Sequence, residues 1–326
     1  MRVAVIGLGK MGLLHASILN SMPNIEVSAL CEKSFLIRRI FRKIFKEARL
    51  VGDVEKLSSS EIDAVYVTTP IPSHYFIIKD VYLRGLTNNV FVEKTLGANL
   101  PQSKELCEIA RNCGGINMVG YMKRFSVTFK KTKALLDQSV LGHLKSFETY
   151  AYSSDFASEN TLSRSASRGG VLCDLGSHIV DLALWFFGDL DVESAVMEST
   201  NGSGSEDTAD FKVRSLDGLE GHFEVSWCKR GYRLPEFGLT IRGSNGTVRA
   251  DGDKVELDLE NEKTRWFKQD LDDKVRFLLG DPEYCREDEY FTNSISTNIR
   301  PEPSFDSATK VDHVIDQVRR RATADG

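Results

Sequence analysis

The stretch VAVIGLGKMG, residues 3–12, decides the fold. An apolar run passes into Gly7, Gly9 and Gly12 at G-x-G-x-x-G spacing, with Lys10 and Met11 inside the turn and a helical pattern beyond it. A strand that feeds a helix in this way needs the first glycine for the tight turn and the second so that backbone can approach a pyrophosphate. The third allows close helix packing. The N–H groups at the helix start then face the anion. A plain strand-to-helix turn without a ligand is the competing reading. Against it stands Glu32, twenty residues past Gly12 at the end of the second apolar run, IEVSALC. A carboxylate there accepts from both hydroxyls of an adenosine ribose and repels a 2′-phosphate. The expected cofactor is therefore NAD, with NADP as the alternative that Lys33, Arg38 and Arg39 would accommodate.

Outward from this turn, the runs RVAVIG, IEVSALC, DAVYVTT, NVFVEK and INMVGY alternate with helical patterns over the first 120 residues. Such alternation predicts a doubly wound parallel sheet covered on both faces. Thr69 and Pro70 fall where a strand's carboxyl end opens onto a cofactor crevice, with His74 just beyond as a candidate cofactor contact. Glu93 and Lys94 end the next run and would emerge beside a nicotinamide. A lysine at a buried strand end needs a partner or a task, and pairing with Glu93 is the simpler of the two. The helix FLIRRIFRKIFKEA, residues 35–48, is basic on one face and apolar on the other. We read it as a sheet-covering helix with a solvated outer face, in preference to a membrane- or partner-binding one.

Beyond Tyr121 the texture changes. A helix near 126–139, a strand near 144–153, the loop SENTLSRSASR and the helix GGVLCDLGSHIVDLALWFFG (169–188) precede short alternating strands between Val192 and Leu259. Turn signals at Asp217-Gly218, Asn245-Gly246 and Asp251-Gly252 mark an antiparallel sheet, and two helices close the chain. The expected architecture is α/β: an N-terminal doubly wound domain over residues 1–122, then an α+β domain over 123–326 with a large, mostly antiparallel open sheet. That sheet makes a dimer or tetramer the expected assembly.

In the helix 169–188, Asp174, His178 and Asp181 fall in a stripe about 60° wide on an otherwise apolar surface. The stripe is either the helix's one wet edge or the lining of a cleft. Bulk properties set the frame for both. With 326 residues, 41% hydrophobic, 27% charged and a net charge of -5, the chain resembles a soluble protein without a large nucleic-acid footprint. Six cysteines without a CxxC pair suggest neither a zinc framework nor a disulfide scaffold, and fit a reducing cytoplasm. No apolar run of membrane-spanning length is free of charges.

Taken together, VAVIGLGKMG, TTPIPSH, VEKTLGANL, GYMKRF, GGVLCDLGSHIVDLALWFFG, SEDTADF and IRGSNGTV resemble the Gfo/Idh/MocA oxidoreductases. The resemblance implies a nicotinamide-dependent enzyme whose lysine after the fifth strand and Asp-x-x-x-His pair surround the substrate carbon. Here these map onto Lys94, Asp174 and His178. The residues suit hydride chemistry: His178 as general acid/base, Asp174 as its partner or a substrate hydroxyl's, and Lys94 as donor to a developing alkoxide. Where the family has proline after the lysine, this chain has Thr95, which leaves the Lys94–Thr95 peptide to be either cis or trans. Arg124, Arg164, Arg168 and Tyr284 are further candidates for substrate contact, while His15 and His222 read as structural. The expected substrate is a sugar, cyclitol or sugar nucleotide. The alternatives are a non-catalytic NAD(P)-binding regulator, or redox-assisted glycoside cleavage with tightly held NAD.

Overall fold

The computed structural model describes residues 1–154, 169–199, 205–273 and 281–324. The chain forms two compact units, one of residues 1–121 with 275–309, the other of 122–274 with 310–326.

The first unit is built on a six-stranded sheet of β1 (Arg2–Ile6), β2 (Glu26–Cys31), β3 (Arg49–Val51), β4 (Ala64–Val67), β5 (Val90–Glu93) and β6 (Asn117–Gly120). Every pairing is parallel, in the order β3-β2-β1-β4-β5-β6. Each residue of β4, β5 and β6 is buried, which is why these strands read as unbroken apolar runs and not as alternating ones. Helix α1 (Lys10–Ser21) follows β1, α2 (Phe35–Ile44) follows β2, α3 (His74–Leu83) follows β4, and α4 (Leu100–Cys113) follows β5. Ser34 caps α2 by accepting from the Ile37 N–H, and Arg42 and Lys43 complement the dipole of its last turn. The outer face of α2 departs from expectation. Leu36, Ile40 and Ile44, spaced one turn apart, are exposed beside the basic residues.

The segment 275–309 corrects the expected partition, which assigned all of 123–326 to the second domain. Its helix, Pro282–Thr297, brings Asp288 to His15 of α1, and the Phe305 N–H donates to the Asn117 side chain in β6. The Val119 N–H donates to the Pro303 carbonyl. Long-range polar contacts made to the first core, invisible in local pattern, return this piece of chain to it.

The second unit carries α5 (Val127–Asp137) and an eight-stranded sheet, β7 (Leu144–Tyr152), β8 (Leu190–Glu198), β9 (Thr208–Ser215), β10 (Glu220–Ser226), β11 (Glu236–Gly243), β12 (Gly246–Asp251), β13 (Lys254–Leu259) and β14 (Glu262–Phe267). The order is β14-β13-β12-β11-β7-β10-β9-β8, antiparallel except between β7 and β10. β9 alternates cleanly, with Ala209, Phe211, Val213 and Ser215 buried. In β8 the buried positions shift parity from Leu190 and Val192 to Ala195, because the register slips between Val192 and Ser194. Gly218, at φ +82, makes the turn between β9 and β10 that Asp217-Gly218 predicts.

Candidate active site

In the first unit the glycine turn has the shape that an approaching dinucleotide requires. Gly7 holds φ +94, and a Cβ there would lie 2.6 Å from Thr69 Cγ2. A Cβ on Gly12 would lie 1.9 Å from the Gly7 carbonyl oxygen, so only glycine permits this closeness of helix to strand. A Cβ on Gly9 would meet nothing within 4 Å. No side chain caps α1, which leaves its first-turn N–H groups to solvent or an anion. Lys10 and Lys33 are exposed and Met11 is half-buried. The Glu32 carboxylate accepts from the Leu8 N–H at 2.9 Å and the Ser34 N–H at 2.8 Å, which fixes it at the mouth of the turn with lone pairs to spare. Arg38 is turned onto the backbone carbonyls of Glu32 and Lys33. Open space at Gly9, an uncapped helix start and an oriented carboxylate at the end of β2 fit a nicotinamide dinucleotide.

Two loops follow β4 and β5, and His74 joins them. Its Nε2 lies 2.7 Å from the Thr69 carbonyl and its Nδ1 lies 2.8 Å from the Thr95 carbonyl. The ring is wholly buried, and burial pulls its pKa below the ordinary value. His74, which the sequence offers as a candidate cofactor contact, thus bridges the backbones of the two loops. Thr69 and Pro70 stand beside it, half-buried and exposed respectively. Lys94 is half-buried at the end of β5, and its peptide to Thr95 is cis. Glu93 is turned inward: Oε1 lies 3.0 Å from His15 Nε2, and Oε2 accepts from the Lys94 backbone N–H at 3.2 Å. The other face of His15 meets Asp288, with Nδ1 2.8 Å from Oδ1. Tyr284, a candidate for substrate contact, packs edge-on against His15 in this structure, with centroids 6.0 Å apart.

In the second unit the polar stripe lies on a π-helical turn, Leu172–Gly176, and the helix that continues it, α6 (Ser177–Phe187). π turns of this kind recur at functional positions. Within the stripe His178 and Asp181 are buried and Asp174 is half-buried, so it is more than a wet edge. Asp181 is fully buried and receives both Nε and Nη2 of Arg124, at 2.8 and 2.7 Å. The indole N–H of Trp227 donates to Asp174 Oδ2 at 3.2 Å. His178, 5% exposed, stands edge-on to Phe237 with centroids 5.3 Å apart, and Lys123 lies over the same ring at 5.1 Å. Arg124, a candidate for substrate contact, forms a buried pair with Asp181 inside the second unit. Arg164 and Arg168 lie outside the described residues.

Sequence reasoning missed Trp227 and Asp288, which lie 53 and 273 residues from their partners and carry no local signal. It left His15 as a bland core residue. Its place one turn past Gly12, on the face of α1 toward the sheet, is the signal that was there.

A family description of oxidoreductases with an NAD-binding Rossmann fold matches residues 1–121, and one of the GFO/IDH/MocA C-terminal domain matches residues 129–249. Among characterised relatives, the myo-inositol 2-dehydrogenase of Thermotoga maritima is 26% identical over 258 residues, spanning 77% of this chain and 75% of that one. The NAD(+)-dependent scyllo-inositol 2-dehydrogenase of Bacillus subtilis is 27% identical over 207 residues, or 62% of this chain and 57% of that one. The structure of a levoglucosan dehydrogenase with NADH and levoglucosan superimposes with a TM-score of 0.90 at 17% identity, covering 100% of this chain and 98% of that one. At that identity the likeness speaks to the fold.

Proposed function

The chain belongs to the GFO/IDH/MocA family of NAD-binding oxidoreductases, and from that premise we propose that it transfers hydride between a nicotinamide dinucleotide and a secondary alcohol or ketone of a sugar, cyclitol or sugar nucleotide. The observation that carries the proposal is the Asp174–His178 pair, an acid and an imidazole one turn apart in an apolar helix. The acid is held by the Trp227 indole, and the ring is held by Phe237.

The glycine turn and the start of α1 would hold the pyrophosphate, and Glu32 the adenosine ribose. Bound NAD would supply the hydride acceptor, or NADH the donor. In the oxidative direction, His178 takes the hydroxyl proton as the C–H bond to the same carbon breaks, and it returns that proton in reduction. Asp174 orients His178 or a neighbouring hydroxyl. Lys94 donates to the oxygen as alkoxide character develops, which lowers the barrier where charge appears. The named activities of the inositol dehydrogenases support the substrate class. No disulfide joins the cysteines, which suits a reducing, cytoplasmic setting, and assembly into dimers or tetramers through the open sheet is part of the same proposal.

The test is a screen of inositols, sugars and nucleotide sugars for NADH absorbance in the presence of NAD⁺. The expected result is turnover of at least one polyol by the wild type. Failure across all three classes, with NADH binding intact, would refute the reading.

A further inference from the structure

We infer that His15 is a positioning residue for Lys94: through Glu93 it ties the helix that carries the dinucleotide glycines to the strand end that carries the lysine. The inference rests on the role given to Lys94 above.

His15 lies one turn past Gly12 on α1 and is wholly buried. Both of its ring nitrogens face carboxylates. Nδ1 is 2.8 and 3.0 Å from the two oxygens of Asp288, and Nε2 is 3.0 Å from Glu93 Oε1. Asp288 and Glu93 are themselves buried. A neutral imidazole has one N–H and would turn a lone pair toward one of the two acids, so the arrangement calls for the imidazolium. Burial alone would depress the pKa of the ring, but Asp288 and then Glu93 outweigh it and hold His15 well above its ordinary value. Around the ring stand Tyr66 of β4, Phe91 of β5 and Tyr284 of the helix Pro282–Thr297, at centroid distances of 5.6, 5.1 and 6.0 Å. Glu287, also buried, lies on that helix. No second cation among the described residues pairs with Asp288 or Glu93, so His15 alone offsets them.

A buried ion pair that served only stability would have no reason to end where this one does. The second oxygen of Glu93 accepts the N–H of Lys94 itself, at 3.2 Å. On the far side of the lysine, the carbonyl of Thr95 is met by His74 at 2.8 Å. The backbone on either side of Lys94 is thus held by two buried histidines, His15 acting through Glu93 and His74 directly. Misplacing a catalytic group by about 1 Å can cost on the order of 10²-fold in rate. The same link makes the position of Lys94 depend on α1, the element that receives the cofactor.

Reductive ¹³C-methylation of the full-length protein gives one dimethyl-lysine resonance per lysine, and loss of a signal in Lys94→Arg assigns Lys94. We expect this resonance to respond to added NADH in the wild type. In His15→Phe and in Glu93→Ala it should move to the position of exposed lysines and lose most of that response. Glu93→Gln, which can still bridge His15 and the Lys94 N–H, should stay near the wild type. Turnover on the polyol identified by the screen should fall about 10- to 100-fold in His15→Phe, with the KM for NAD⁺ within about threefold. An unmoved Lys94 resonance in folded His15→Phe overturns the inference. Should that variant fail to fold, an unmoved resonance in Glu93→Ala overturns it equally. Wild-type turnover by Lys94→Ala would instead refute the role given to the lysine, and the resonance shift in His15→Phe would be untouched by that result.

Discussion

His15 and His178 invite comparison. Both are buried on helices, 0% and 5% exposed, and each carries a carboxylate neighbour, yet their surroundings differ in kind. His15 is clamped between two acids with both nitrogens engaged, which hold its proton to well above the ordinary pKa. His178 stands edge-on to an aromatic ring, in a helix whose acid one turn away is held by an indole N–H. Burial does not distinguish a catalytic imidazole from a structural one. The partners of His15 mark it as structural, since two carboxylates lock a charge there, whereas the acid–base role we propose for His178 follows from its place one turn from Asp174.

The comparison breaks if the two histidines respond alike. His178→Ala should lower kcat by about 10²- to 10⁴-fold while NADH affinity, read by fluorescence titration, holds. His15→Phe should lower turnover less, by about 10- to 100-fold, and should in addition cost stability. It leaves two buried carboxylates without their cation, a class of change that costs about 3 to 5 kcal/mol, visible as a fall in the urea midpoint. Arg124→Leu strips the cation from buried Asp181 and should cost about as much by the same argument. The double variant with Asp181→Leu should recover most of the loss in the same assay. Smallest is Trp227→Phe, which removes one hydrogen bond to Asp174. About 1 kcal/mol, or roughly fivefold in kcat, is expected, and an unchanged rate would show that the indole does not orient the acid.

pH sharpens the contrast. The pKa of His15 is raised in the folded protein above its ordinary 6.5, so its contribution to stability is complete below that value. It is lost as pH rises through the folded pKa. Melting temperature should therefore decline on the alkaline side in the wild type, and the slope should flatten in His15→Phe.

How much of this was legible in the sequence depends on the reach of each signal. The glycine turn, Glu32 and the parallel sheet were readable because they are local: spacing fixes the turn, and buried strands advertise themselves as apolar runs. The stripe of Asp174, His178 and Asp181 was visible on a helical wheel, but its burial was not. That burial comes from Arg124, Trp227 and Phe237, which lie 57, 53 and 59 positions away in the chain. For the same reason nothing local announced that residues 275–309 return to the first unit. Asp288 meets His15 across 273 residues, and a helix pattern does not say which core it will join. The parallel pairing of β7 with β10 within a run of hairpins was equally out of reach, since each hairpin signal concerns only neighbours.

We propose that Lys94 and His178 serve the same hydride transfer, and a double-mutant cycle on kcat is the decisive check. Lys94→Met and His178→Ala, made singly and together, should each cripple turnover on the screened polyol. The double variant should be little worse than the poorer single one, because groups that act as a unit are non-additive. Full multiplication of the two losses, or wild-type turnover in either single variant, would contradict the account.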